Sequence, residues 1–87
     1  MTLERGTVVK STAGHDSGSF YVALSFESGF AVIADGKLRT LEKPKRKNSK
    51  HLAATKIILP AAQLETNKKI RHALWPYNHG GIPPLSD

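Results

Sequence analysis

Residues 20–41 read FYVALSFESGFAVIADGKLRTL, and this stretch decides the fold class of the 87-residue chain. Apolar side chains recur at every second position from 20 to 26, which is typical of a strand with one buried face. The run 30–34 is apolar throughout, as expected for a buried strand. A turn with Gly precedes this run, and Asp35-Gly36 follows it as a type I′ hairpin signal. Residues 37–41 then return as a further strand, so the pattern predicts an antiparallel meander.

Two flanking segments extend the meander to five strands. Residues 6–11 are short and rich in β-branched side chains, which favours a strand. Residues 51–55 offer a fifth strand that would close a small barrel and hide its edges. We therefore predict a mainly β, five-stranded barrel over residues 1–59, with a solvent-facing basic loop at 43–51. Whether 56–59 lengthens the fifth strand or packs as a turn stays open at this point.

The C-terminal third predicts a short helix followed by a tail. Residues 60–75 form a helical appendage in which 67–75 is the helix, with Thr66 or Asn67 as its N-cap. Its apolar positions share one face: Ile70, Ala73 and Leu74. We expect 76–87 to be disordered, because Pro and Gly dominate it.

Positive charge is concentrated in one part of the chain. Thirteen Lys and Arg against seven Asp and Glu give a net charge of +6. Residues 36–75 hold eleven basic and two acidic residues, a net charge of +9, whereas residues 1–35 carry a net charge of −2 and residues 76–87 a net charge of −1. Such clustering indicates a nucleic-acid footprint, although a merely solvated basic surface is the alternative.

Several function classes are excluded by composition. The chain has no Cys, so disulfides, thiolate metal sites and Cys nucleophiles are absent. The four His show no paired spacing for a metal, and no acid–base pair suggests an enzyme, so we predict neither catalysis nor a cofactor. No apolar run is long enough to span a membrane, and the N-terminus does not read as a secretory signal, so a cytoplasmic protein is expected.

Residues 14–18 read GHDSG and form the loop between the first two strands. Glycine at both ends lets a backbone turn sharply, and N–H groups exposed in such a turn can face a phosphate. An ordinary hairpin loop is the alternative. Asp16 cannot bind phosphate itself, and we expect it to hold the turn through backbone N–H contacts. His15, Asp16 and Ser17 do not suggest a catalytic triad, because consecutive residues point in diverging directions.

Residues 5–22 resemble the KOW motif, which consists of a strand, a G-[HRK]-D-x-G loop and a second strand. The motif is found in several large-subunit ribosomal proteins and in transcription elongation factors. Residues 33–39 and 44–52 are similar to the rest of the small bacterial KOW-domain RNA-binding proteins, which themselves resemble a KOW-bearing ribosomal protein of archaeal and eukaryotic large subunits. Residues 66–74 resemble their C-terminal helix. The sequence departs from the family at Ser17, where a base is usual, and in 76–87.

This resemblance implies an SH3-like KOW barrel that binds structured RNA, with ribosomal RNA as the expected class and ribosome-associated proteins as possible partners. Binding would be electrostatic and shape-based, because few side chains in the basic segment suit base reading. His51 could stack on a base or lie at the barrel edge. The predicted RNA-binding residues come from the loop and the basic segments: Lys10, Gly14, His15, Ser17, Gly18, Lys37, Arg39, Lys43, Lys45, Arg46, Lys47, Lys50 and His51.

A protein-interaction module of the transcription or translation machinery is the second hypothesis, because SH3-like barrels often bind peptides and fold does not fix function. It would use an apolar groove near Phe20, Tyr21 and Trp75. Trp75 and Tyr77 could instead stack on bases or close the core.

Overall fold

The computed structural model describes residues 4–84, in which five strands precede one α-helix. The strands form one antiparallel sheet in the order β4-β3-β2-β1-β5. The mainly β fold with a C-terminal helix agrees with the prediction. The elements in chain order are β1 (Thr7–Ser11), β2 (Phe20–Glu27), β3 (Phe30–Ala34), β4 (Lys45–Asn48), a 3-10 turn (Ser49–His51), β5 (Leu52–Ile58), a second 3-10 turn (Ala61–Leu64) and α1 (Asn67–Asn78).

The sheet is strongly curled. Register irregularities interrupt the β1–β5 and β2–β3 ladders, and such bulges bend a sheet. Lys47 lies on edge strand β4, yet its Nζ reaches Ser11 Oγ of β1 at 2.6 Å although β3 and β2 lie between them in the sheet. Within the described residues, β4 and β5 are the two edges and do not pair, so the predicted barrel closure is not seen.

Each face of the sheet carries an apolar cluster. On one face, Val8 and Val22 pack against Ile70 and Leu74 of α1, which are almost fully buried. Burying two side chains of this size stabilises the docked helix by roughly 3–6 kcal/mol. The helix begins at Asn67 as predicted, and of the two N-cap candidates Thr66 is the cap: its Oγ1 accepts from the Lys69 N–H at 3.1 Å. The opposite face buries a second cluster: Val9, Tyr21, Ala23, Ala31 and Ile33.

The predicted strand 37–41 is wrong, and so is the type I′ turn before it. Gly36 has a positive φ of 79°, but Asp35 does not, as a type I′ turn would require. The Asp35 carboxylate instead accepts from the backbone N–H groups of Lys37 and Arg39, both at 2.9 Å. Because those donors are engaged locally, the chain loops out before returning to the sheet.

The fourth strand lies where a solvent-facing loop was predicted. β4 pairs with β3 from Lys45 opposite Ile33 to Asn48 opposite Phe30. A segment without apolar residues can form this strand because it is an edge, and a lysine stem can cover apolar neighbours. The fifth strand is confirmed, and it continues to Ile58.

The helix ends three residues later than predicted. It includes 76–78, so the predicted disorder is wrong for these residues. Asn78 Nδ2 donates to the Phe20 carbonyl oxygen at 3.0 Å, and its Oδ1 accepts from the Phe20 N–H at 2.7 Å. These two bonds join the end of α1 to the start of β2. The predicted tail also includes 85–87, which lie outside the described residues.

Candidate nucleic-acid interface

Asp16 organises the loop between β1 and β2 through side-chain donors. Its Oδ1 accepts from Ser11 Oγ at 2.9 Å and from Lys47 Nζ at 2.7 Å, and its Oδ2 accepts from the Tyr21 hydroxyl at 3.0 Å. The predicted backbone N–H contacts are therefore replaced by three side chains from β1, β2 and β4. This arrangement fixes the loop to three strands at once.

The environment of Asp16 shifts two pKa values. Burial by itself would raise the pKa of Asp16, but hydrogen bonds from Lys47, Ser11 and Tyr21 outweigh it and hold that pKa well below its usual range. Burial, together with the hydrogen bond donated to Asp16, raises the pKa of Tyr21 to about 12. The carboxylate and the phenol therefore keep their acceptor and donor roles across the physiological pH range.

Lys47, one of the predicted RNA-binding residues, has its ammonium engaged within the fold. Its side chain is 9% exposed, and Nζ donates to Ser11 Oγ, to the Ala13 carbonyl oxygen at 3.0 Å and to Asp16. An ammonium with three acceptors has all three of its N–H donors used inside the protein, so Lys47 supports loop 14–18 from below.

The predicted continuous basic strip is divided by the alternation of β4. Successive side chains of a strand point to opposite faces, so Arg46 lies on the other side from its two lysine neighbours. Its guanidinium lies over the Phe30 ring at 3.9 Å and 4.0 Å from Glu27. Arg46 therefore does not share a surface with Lys45.

A groove, here called the first groove, lies between loop 14–18 and loop 35–39. Gly14 and His15 line one side and Arg39 lines the other, with Lys45 between them. Lys45 is one-third exposed and its Nζ is 3.7 Å from Asp16 Oδ2. Three chain segments thus bring three cationic residues, two carboxylates and a glycine-containing loop to one concave surface: Arg39, Lys45, Lys47, Asp16, Asp35 and loop 14–18.

A second groove adjoins the first, and Leu38 lines both. It lies between loop 35–39 and the end of α1 and is lined by Ser19, Asp35, Lys37, Leu38, Arg71, Asn78 and His79. Loop 35–39 forms the ridge between the grooves. Arg71 Nη1 donates to the Gly36 carbonyl oxygen at 3.0 Å, which ties this ridge to the helix.

The other predicted residues do not line these two grooves. Lys10 Nζ lies 5.7 Å from the centre of the Phe20 ring. Lys43 and Lys50 are exposed, and the His51 carbonyl oxygen accepts from the Thr12 N–H at 2.9 Å. Two further exposed residues belong to the first loop without lining either groove: Ser17 and Gly18.

Sequence reasoning missed the residues that the helix and the ridge contribute. Leu38, Asn78 and His79 line the second groove. Leu38 could have been noticed in the sequence, because it is an isolated apolar residue between the basic residues Lys37 and Arg39. No local pattern marks the other two, because their position depends on how α1 docks.

The apolar groove expected for a protein-interaction module does not form from the predicted residues. Phe20 and Tyr21 are neighbours on a strand and belong to clusters on opposite faces. Tyr21 is buried with its hydroxyl on Asp16, and Trp75 packs against His79 with ring centres 4.2 Å apart.

No protein-family model and no curated protein matches the chain. Within residues 4–84, no cluster of three or more His, Asp and Glu side chains could hold a metal ion. No helix in that part of the chain has the length and apolar character needed to cross a membrane.

Proposed function

We propose that the protein binds structured RNA through the first groove and the ridge beside it. The observation that carries this proposal is the convergence of Arg39, Lys45, Gly14 and His15 on one concave surface. Lys37 extends the positive charge over the ridge into the second groove. These groups come from three separate segments, so a phosphate backbone lying along the groove would contact all of them.

Electrostatics decides the class of partner. The segment 36–75 carries +9, and phosphate contacts supply most of the affinity of nucleic-acid-binding proteins. Asp16 lies beneath the groove, but its charge is balanced by Lys47. Asp35 also lines both grooves, and its carboxylate accepts from the backbone N–H groups of Lys37 and Arg39, whose side chains are exposed.

A finer proposal concerns the fold and its setting. The curled five-stranded sheet and the glycine-containing loop are compatible with an SH3-like KOW domain, as the sequence resemblance implies. On that resemblance we propose ribosomal RNA as the target class and a cytoplasmic ribonucleoprotein as the setting. We propose no enzymatic activity.

Salt dependence of binding tests the proposal. We expect three to four phosphate contacts from the groove cations, which corresponds to a log–log salt slope of about −3. The double variant Lys37→Glu/Arg39→Glu should bring the slope to about −1 and weaken binding to every structured RNA by a similar factor, because phosphate contacts carry little sequence information.

A matched control separates the grooves from net charge. Lys56→Glu/Lys68→Glu makes the same charge change at two exposed positions on β5 and α1, outside both grooves. We expect a much smaller loss of affinity than for the ridge variant. Equal losses for the two double variants, or a slope near zero for the unaltered protein, would refute RNA binding through this surface.

A further inference from the structure

Leu38 is presented to solvent on a loop that is held in place. Its side chain is 80% exposed. A single exposed leucine is ordinary on a protein surface, but this one lies between Lys37 and Arg39 and lines two adjoining grooves. Asp35 binds the N–H groups on both sides of it, and Arg71 binds the Gly36 carbonyl oxygen. The loop therefore holds an apolar side chain at a defined position.

The opposite wall of the second groove is aromatic and is also fixed. The His79 ring packs on Trp75 with centroids 4.2 Å apart and an interplanar angle of 38°. The neighbouring residue Asn78 bonds both backbone groups of Phe20. The end of α1, and with it the histidine ring, is thus anchored to the sheet.

We propose that the second groove receives one unpaired nucleotide of the bound RNA, with its base against Leu38 and His79 and its phosphate beside Lys37. This inference rests on the proposed function. A nucleobase has flat apolar faces and a polar edge, and the groove offers an aliphatic side chain, an aromatic ring and the polar residues Ser19 and Asp35. Proteins that read RNA stack unpaired bases on aromatic side chains, His included.

Such a site would make the protein prefer RNA that has an unpaired base, and phosphate contacts alone cannot give this preference. A base within a duplex is stacked and paired, so it cannot enter the second groove, whereas a bulged base can. The ridge would separate two kinds of contact, with backbone phosphates in the first groove and one base in the second. RNA with a bulge should therefore bind more tightly than RNA whose bulge lacks only the base.

The test compares two hairpin RNAs that differ by one base. The first carries a single bulged adenosine, and the second carries an abasic nucleotide at the same place, so phosphate number and helix interruption are the same. We expect the first to bind about tenfold more tightly to the unaltered protein, which is at the low end for base stacking on a side chain. Both should show the same salt slope.

Variants assign the preference to the groove. Leu38→Ala and His79→Ala should each lose most of the tenfold preference. His79 does not line the first groove, so His79→Ala should also leave affinity for the abasic RNA unchanged. Ile82→Ala, at an apolar residue that is 88% exposed and outside both grooves, should keep the preference.

The outcomes distinguish this inference from the proposed function. Equal, salt-dependent binding of the two RNAs would overturn the nucleotide site and leave RNA binding intact. Variants that weaken both RNAs equally would also overturn it. Failure of the unaltered protein to bind any structured RNA would overturn the proposed function itself.

Discussion

Replacing Asp16 by Ala should be among the most damaging single changes to the fold. The change removes the acceptor for Ser11, Tyr21 and Lys47 and leaves the Lys47 ammonium buried without its counter-ion. Loss of one partner of a buried ion pair costs about 3–5 kcal/mol, because the remaining charge stays desolvated.

The size of this effect follows from the size of the protein. A chain of this length has a free energy of unfolding of roughly 4–13 kcal/mol, so the substitution removes a large part of it. With a urea m-value of about 1 kcal/mol per M, a loss of about 3–5 kcal/mol should lower the unfolding midpoint by about 3–5 M. Urea titration followed by the fluorescence of Trp75, the single tryptophan, measures the shift.

Glu65→Ala is the matched control. Glu65 and Lys69 form an ion pair with the same N–O distance of 2.7 Å as Asp16 and Lys47, but both partners are more than half exposed. Exposed pairs contribute little, so this midpoint should not move. Because the two ion pairs have the same N–O distance, a difference between the two midpoint shifts reports the effect of burial.

The double variant Asp16→Ala/Lys47→Met tests the cause. Removing the buried charge as well should recover part of the lost stability, because no unpaired ion remains. Equal midpoints for Asp16→Ala and Glu65→Ala, or a double variant less stable than Asp16→Ala, would refute the reasoning.

Three further predictions concern stability. Because the fold lowers the pKa of Asp16, the stability that this carboxylate contributes is present above its ordinary pKa of about 3.9 and is lost as pH falls toward the lower pKa of the folded protein. The urea midpoint should therefore decline less between pH 6 and pH 2 in Asp16→Asn than in the unaltered protein. Gly36→Ala should destabilise by about 2 kcal/mol more than Gly29→Ala in urea titrations: both have positive φ, but only at Gly36 would a Cβ collide with the first carbonyl oxygen of α1. Asn78→Ala should cost about 1 kcal/mol in thermal melts through lost bonds to Phe20, and an unchanged melt would show that these bonds contribute nothing.

Local sequence was sufficient where the signal spans only a few residues. The period-2 pattern of β2, the apolar run of β3 and the start of α1 after Thr66 or Asn67 were predicted, because side-chain periodicity and capping act over one to four positions. The same reasoning failed at β4, which has no apolar residue to mark it and forms because β3 offers an edge.

The candidate site was predicted in composition and missed in arrangement. Arg39, Lys45 and His15 were among the predicted residues and line one groove. Lys47 was also predicted, but its side chain is buried and its ammonium donates to Asp16, which lies 31 positions away in the chain. Nothing within a few residues of Lys47 distinguishes it from Lys45.

The sequence by itself determined β1, β2, β3, β5 and the start of α1, together with the concentration of positive charge and the glycine-containing loop. Only the tertiary structure decided which lysine is buried, how the ridge divides two grooves and where Asn78 anchors the helix. The physical reason is the separation along the chain of the residues that interact. Periodicity and turn chemistry are local, whereas the curl of the sheet and the docking of α1 bring together groups 30 to 60 positions apart, such as Lys47 with Asp16 and Asn78 with Phe20.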